Sequence, residues 1–419
     1  MFLPSKFPPH AVHCHLCGSI NLSPLINFGS HSIGHHYLKK PDSDEERYPI
    51  EFYYCKTCGL SQIVNPIPPD KLYTNYFALS SYKNQPHIPH EVELIKEFTD
   101  VTRESFIIEI ASNDGIFCKA MLDEGYYNII GVEPAQDAYL AAKSKGIHTI
   151  HSYFNMDCAK RIVEKYGHAK LIIARQVLEH ISNLQEFQEA IKYLIAPNGY
   201  LFLDVPDFQS NLETYDYSLW EEHVNQFTID TLKLFSETIG CKTIYTENYT
   251  FSGRCILLIS KMVSKTDSYY MGYLPKLIDD TLNYKDKWLY FKQLLSKYLE
   301  NEVDNNKKIA IYGAGGRVGS LINYTGIAKY ISCIVDDLPE KQGLFMPESQ
   351  LPIYPSNFLY SDSIDICLLA VNTENEEAVI QKHKRFIDDG GKFYSILPPS
   401  NRLLPVWKNL DMYGYKYHE

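Results

Sequence analysis

No stretch of this 419-residue chain approaches the roughly 18 to 20 consecutive apolar residues that a membrane span requires, so no spanning helix is expected. Basic charge is also short. Forty lysines and arginines face 51 acids, for a formal net charge of −11. Nucleic acids are held largely by neutralising phosphates, so a chain this acidic makes a poor general binder of DNA or RNA. One local basic pocket for a diphosphate stays compatible with that balance. Residues Met1 to His10 lack a basic region followed by an apolar run. No secretory leader is read there, and the chain is expected to be cytoplasmic. Tandem repeats and low-complexity tracts are missing too. What is present is an ordinary globular composition, 45% hydrophobic and 22% charged. The length suits about two to four domains.

Cysteine is not scarce. Of ten, four fall in two close pairs, Cys14-x-x-Cys17 and Cys55-x-x-Cys58, about 37 residues apart. A CxxC turn points two thiolates at one centre, and two such turns complete a tetrahedral sulfur site for zinc. Gly18 and Gly59 each follow the second cysteine, where a knuckle turn needs a positive φ. His13 and His15 flank the first pair, but four sulfurs already close a structural site. The expected ligands are Cys14, Cys17, Cys55 and Cys58, and a closed site of this kind is not catalytic.

Four regions follow from the patterning. Residues 1–70 form the zinc-binding module, ending in the proline-rich Asn65–Pro69. Residues 71–262 alternate apolar runs with helical patterns, which predicts βαβ units and a largely parallel sheet. Its clearest strands are Phe106–Ile110, Ile129–Val132, Leu171–Ala174 and Tyr200–Val205, with Thr243–Tyr249 and Arg254–Ser260 as a closing hairpin. Residues 263–306 read as a helical connector. Residues 307–419 return to strand–helix alternation, a second Rossmann-like domain. The predicted fold class is α/β throughout, apart from the small zinc module.

The run Glu109-Ile-Ala111-Ser-Asn113-Asp114-Gly115 carries an apolar strand into a polar turn that a helical pattern follows. Cofactors bind at such carboxyl ends of parallel strands. Gly115 permits close approach to the backbone. The run is not GxGxxG, which disfavours a dinucleotide there. About 20 residues on, Glu133-Pro134 ends the next strand, placing an acid where it can accept from ribose hydroxyls. Tyr153 and Phe154 fall where an adenine is stacked. Arg175-Gln176 and Glu179-His180 follow the strand Leu171–Ala174, beside the expected methionine end of S-adenosylmethionine (SAM). His180 reads either as an acid or base or as a residue that orders its loop.

Taken together, the four-cysteine module, E-I-A-S-N-D-G, G-V-E-P-A, V-L-E-H-I and Trp220-Glu-Glu-His-Val-Asn-Gln-Phe-Thr228 resemble the nucleotide-sugar C-methyltransferases. I-Y-G-A-G-G-R and V-D-D-L-P-E-K-Q-G extend the resemblance to the C-terminal region. The resemblance implies a class I methyltransferase fold and SAM and zinc as cofactors. It implies a 4-keto-6-deoxy sugar on a nucleoside diphosphate as substrate. A base would remove the proton beside the ketone, and the enolate would attack the SAM methyl. The resemblance makes His223 that base, with Glu222 in support and Tyr76 reaching into the pocket. The family usually has Tyr where Trp220 stands, and an indole cannot supply a phenol. Trp220 therefore keeps sugar O-methylation open.

Ile309 to Gly319 reads by itself as a dinucleotide fingerprint, with Asp336 and Asp337 about 20 residues on. That leaves a zinc-containing NAD-dependent oxidoreductase as a further alternative. The resemblance implies instead a Rossmann shape without a dinucleotide, where Gly313–Gly316 and Arg317 approach the substrate. The expected partner is a nucleotide-sugar, with the protein a monomer or homodimer.

Overall fold

The computed structural model describes residues 12–41, 44–72, 85–264, 271–361 and 364–410. Near the N-terminus, β1 (Leu22–His31), β2 (Tyr48–Cys55) and β3 (Ser61–Ile63) pair antiparallel in chain order. Sequence patterning did not single out these strands. Their alternation is irregular, and bulges break the β1–β2 register at Pro24/Ile26 and Asn27/Gly29.

The central sheet is built from β4 (Ile107–Ile110), β5 (Ile129–Glu133), β6 (Thr149–His151), β7 (Ala169–Arg175) and β8 (Ile195–Pro206). It adds β10 (Cys241–Thr250) and β11 (Arg254–Met262). The order is β10-β11-β8-β7-β4-β5-β6. β11 runs antiparallel to both its neighbours, while β4 to β8 pair parallel. This is the sheet expected above, closed by the expected hairpin. Its central strands are buried along their length, as near-continuous apolar runs must be when helices cover both faces.

The missing edge of the N-terminal sheet comes from far along the chain. β9 (Asn225–Gln226), inside the Trp220–Thr228 segment, pairs antiparallel with β3. The zinc module and the candidate catalytic segment thus share one sheet.

A 31-residue helix, Leu274–Asp304, leads to the last sheet. There β12 (Ile309–Tyr312), β13 (Cys333–Asp336), β14 (Ile353–Pro355), β15 (Ile366–Leu369) and β16 (Lys392–Ser395) run parallel in the order β14-β13-β12-β15-β16. One hydrophobic core joins the N-terminal strands, the long helix and one face of this sheet. Phe28 shows the join. It stacks on Tyr324 of the C-terminal domain at 4.1 Å and meets Trp288 of the long helix edge-on at 5.0 Å. Truncating such a buried ring costs about 3–5 kcal/mol. No described helix is long and apolar enough to cross a membrane.

Candidate active site

The four paired cysteines converge. Cys14 and Cys58 Sγ lie 3.5 Å apart, Cys17 and Cys55 Sγ 3.7 Å apart, and all four fall within 4.8 Å of one another. Tetrahedral zinc with bonds of about 2.3 Å places its sulfurs ~3.8 Å apart, so the set fits the ion. Gly18 (φ +71°) and Gly59 (φ +83°) turn each knuckle back, donating to the Cys14 and Cys55 carbonyls. His15 does not join the sulfurs. Its Nδ1 lies 2.8 Å from Asn225 Oδ1, and Asn225 in turn donates to the carbonyls of Leu178 and Ile181. The zinc knuckle is thereby tied to the loop that carries Glu179 and His180.

After β4 the chain makes a tight turn in which Ala111, Asn113 and Gly115 all have positive φ. Gly115 caps the helix Ile116–Asp123. Glu133 ends β5 and holds this turn, its carboxylate accepting from Asn113 N at 2.9 Å and Ala135 N at 2.7 Å. Glu109 is buried beside Arg175, with 3.7 Å between Nη1 and Oε1, and accepts from Cys118 Sγ. Burial pushes its carboxyl up to about 7, against the pull of Arg175. Arg175 also pairs with Glu91 at 3.0 Å. That buried pair ties the turn to the helix Ile88–Phe98.

A cleft of about 350 Å³ opens between this turn, the zinc module and the C-terminal domain. Its walls include Ala111 and Asn113, then Gln176, Glu179 and His180, then Trp220, Glu222 and His223, and finally Gly315–Arg317. The Trp220–Thr228 segment shapes it. A turn closed by His223 N on the Trp220 carbonyl sends successive side chains in different directions. Glu221 leaves the cleft and clamps two domains, accepting from Gly34 N and Ser320 Oγ, each at 2.7 Å. Glu222 is fully buried and lies 2.8 Å from His35 Nδ1. Burial opposes charge on His35, but the Glu222 carboxylate outweighs it and raises the imidazole pKa. His223 faces His180 edge-on at 5.0 Å and Trp220 at 5.1 Å. Burial, helped by His180 and Arg317, holds His223 well below the usual imidazole range. Burial likewise takes His180 down to about 4, while its Nδ1 donates to the Glu222 carbonyl. Burial thus disfavours the charged form of both rings.

The C-terminal glycine turn closes the cleft, but protein atoms cover much of it. A Cβ on Gly316 would come within 2.7 Å of Trp220 Nε1. A Cβ on Gly34 would meet the Gly316 carbonyl at 2.8 Å, and one on Gly319 would meet the Gly34 carbonyl at 3.1 Å. The Ala314 carbonyl accepts from Tyr37 Oη at 2.5 Å and Lys341 Nζ at 2.9 Å. Asp336 accepts from Ala314 N.

The structure brings Glu109, Ala111, Asn113, Arg175, Gln176, His180, Glu222 and His223 to one cleft. Asp114, Gly115, Glu133, Pro134, Tyr153 and Phe154 lie outside its lining. Asp114 pairs with Lys145 at 2.5 Å, Phe154 packs edge-on against Phe187, and Tyr153 is exposed. Tyr76 falls outside the described residues. His35 was not among the expected site residues, and Glu179 was read only as part of the segment beside the cofactor, with no role of its own. His35 carries no motif of its own, and only the fold sets it against Glu222.

Three family models match in series: a zinc binding domain over residues 14–73, a methyltransferase domain over 92–246 and a C-methyltransferase C-terminal domain over 277–398. The chain is similar to the C-methyltransferase NovU of Streptomyces niveus, 23% identical over 401 residues that span 92% of this chain and 95% of that one. It is also similar to the solved SAM-dependent methyltransferases of Aquifex aeolicus (13% identity, 44% of this chain, 97% of that one, TM-score 0.35) and Archaeoglobus fulgidus (15%, 45%, 99%, 0.35).

Proposed function

We propose that this chain, a SAM-dependent methyltransferase with the zinc-binding, methyltransferase and C-terminal domains of the C-methyltransferases in series, methylates a carbon of a nucleotide-linked 4-keto-6-deoxy sugar. The observation that carries the reading is the shared cleft. It brings the turn after β4, the pair His180–His223 and the C-terminal glycine turn to face one another. Bound SAM supplies an electrophilic methyl group. The residues that would hold it are those of the β4 turn, which Glu133 braces from the ribose side, with Gln176 toward the methionine end.

A carbon beside a ketone becomes nucleophilic only when a base removes its proton and the negative charge spreads onto the carbonyl oxygen. Proton removal turns on His223, with Glu222 behind it, held by His35. The carbon then takes the methyl, and S-adenosylhomocysteine (SAH) leaves. The three domains enclose the cleft, which limits the water that would otherwise reprotonate the enolate. Arg317, at the start of the helix Gly316–Thr325, is positioned for the diphosphate, since helix N-termini attract anions. The covered glycines around Gly316 support a C-terminal domain that closes the cleft without a dinucleotide.

Incubation with a 4-keto nucleotide-sugar and SAM should yield SAH. In deuterated water without SAM, the hydrogen beside the ketone should exchange, and His223→Ala should reduce that exchange by ~100-fold or more. SAH formation with no exchange would favour O-methylation, the reading that Trp220 keeps open.

A further inference from the structure

Four lysine and arginine side chains line the cleft, and three of them face a carboxylate. Arg175 pairs with Glu91 at 3.0 Å, Arg254 with Asp207 at 2.6 Å, and Lys341 stands 3.6 Å from Asp336. Arg317 has no such partner among the described residues. Its one hydrogen bond there runs from Nη1 to the backbone carbonyl of Ser252, at 2.9 Å. A carbonyl orients a guanidinium without neutralising it, so the charge and the other N–H groups are left for an anion. Ser252 is itself held in an unusual way. It sits at the tip of the β10–β11 hairpin with φ +54°, a left-handed conformation that serine rarely adopts and keeps only when its surroundings impose it. The C-terminal domain imposes it here. Ser252 N donates to Glu374 Oε1 and Ser252 Oγ donates to Asn372 Oδ1, each at 3.0 Å, while the carbonyl takes Arg317. Asn372 is the N-cap of the helix Thr373–Lys382, yet its side chain makes no capping bond to that helix. An asparagine in that place ordinarily accepts from its own helix, whereas this one serves the hairpin.

We propose that Ser252 is a positioning residue: gripped by Asn372 and Glu374, it holds the Arg317 guanidinium toward the diphosphate of the acceptor. The proposal rests on the nucleotide-sugar reading and adds to it the means by which the cation is aimed. A free arginine side chain samples many rotamers, and fixing it before the ligand arrives lowers the cost of ordering it on binding. The methyltransferase domain thus sets the aim of a cation that the C-terminal domain carries. Ser252, Gly253, Asn372 and Arg317 all stand in the cleft wall, but Glu374 does not. Glu374 therefore acts on the diphosphate only through the hairpin, which makes it the residue to vary.

The test is calorimetry of the zinc-loaded full chain, saturated with SAH and titrated with thymidine diphosphate and, separately, uridine diphosphate. The parent chain is expected to bind one or both. Arg317→Ala should weaken that binding by about 10-fold or more. Glu374→Ala should weaken it by about 5-fold, although removing an acid near an anion site favours the anion on charge alone. Glu374→Gln keeps an acceptor oxygen for Ser252 N and should bind close to the parent. In an Arg317→Ala background, Glu374→Ala should cost nothing further, because no guanidinium is left to aim. SAH affinity should be the same throughout. Should Glu374→Ala not fold, Ser252→Ala, which loses the bond to Asn372, serves in its place with the same dependence on Arg317. Diphosphate binding that the variants of Glu374 leave intact would overturn the positioning role, as would equal losses in Glu374→Ala and Glu374→Gln or additive losses with Arg317→Ala. All of these keep the nucleotide-sugar reading. A parent chain that binds SAH but neither diphosphate removes that reading, and the positioning role with it.

Discussion

The two Rossmann-like sheets of this chain make the same turn and use it differently. Each runs strand, glycine-containing turn, helix, and each holds the turn with an acid from the end of the next strand: Glu133 on Asn113 N, Asp336 on Ala314 N. The first turn leaves Ala111 and Asn113 on the cavity wall. The second is roofed by the Trp220 indole, by the Gly34 backbone and by Tyr37 and Lys341. A glycine pattern reports that something approaches the backbone closely. It does not report whether that something is a pyrophosphate or another part of the same chain.

The largest test of this contrast goes through the zinc. Part of the roof over the second turn, Gly34 and Tyr37, belongs to the module that the four cysteines hold. Structural zinc contributes on the order of 10 kcal/mol to small domains, comparable to the whole stability of a typical one. Cys55→Ser should lose zinc and melt far below the parent chain. In any folded fraction, hydrogen exchange should rise more around residues 316–322 than around 113–118. Equal rises, or a zinc-free variant with unchanged melting, would erase the distinction.

Single glycines sharpen it further. Gly34→Ala and Gly316→Ala each force a methyl into protein atoms at under 3 Å, which costs about 1–3 kcal/mol. Both should lower the melting temperature and leave SAH affinity unchanged. Gly115→Ala strains a positive φ in the first turn and should weaken SAH binding instead. Calorimetry with NAD should show no binding to the parent chain. Measurable NAD affinity that Gly316→Ala reduces would mean that the second turn is a cofactor site after all.

The smallest effect is a pH slope across the interface between the module and the candidate catalytic segment. The folded-state pKa of His35 is raised, so its pairing stabilises the fold fully below the ordinary value of 6.5 and fades as pH rises through the raised value. Burial raises Glu222 as well, so ionising it in the folded state also weakens stability above the ordinary carboxylate range. Both signs agree: stability should fall as pH rises past about 6.5. In His35→Gln, chemical denaturation between pH 6 and 9 should show a flatter slope. An unchanged slope would place the titration elsewhere.

Much of the fold was legible because its signals are local. Apolar strands at βαβ spacing and the CxxC knuckles depend only on neighbours in sequence, and the central strands, the hairpin and the cysteine cluster stand where those signals put them. The N-terminal strands were not legible, because bulges interrupt their alternation. In Trp220-Glu-Glu-His the resemblance singled out Glu222, but nothing in the sequence showed that Glu221 would clamp Gly34 to Ser320 or that Glu222 would face His35.

The sequence by itself determined the chemistry available: four thiolates in knuckle turns, an acid after each of two βα turns, and histidines beside glutamates. Only the tertiary structure decided which of these meet. β9 pairs with β3 across the chain, which sets the zinc module against the candidate catalytic segment. That packing places His35 on Glu222, roofs the second glycine turn and leaves Glu179 buried beside two imidazoles. The physical reason is range. Turn and strand preferences act over a few residues, whereas these partners lie up to hundreds of residues apart and are joined by a shared core and an inter-domain sheet.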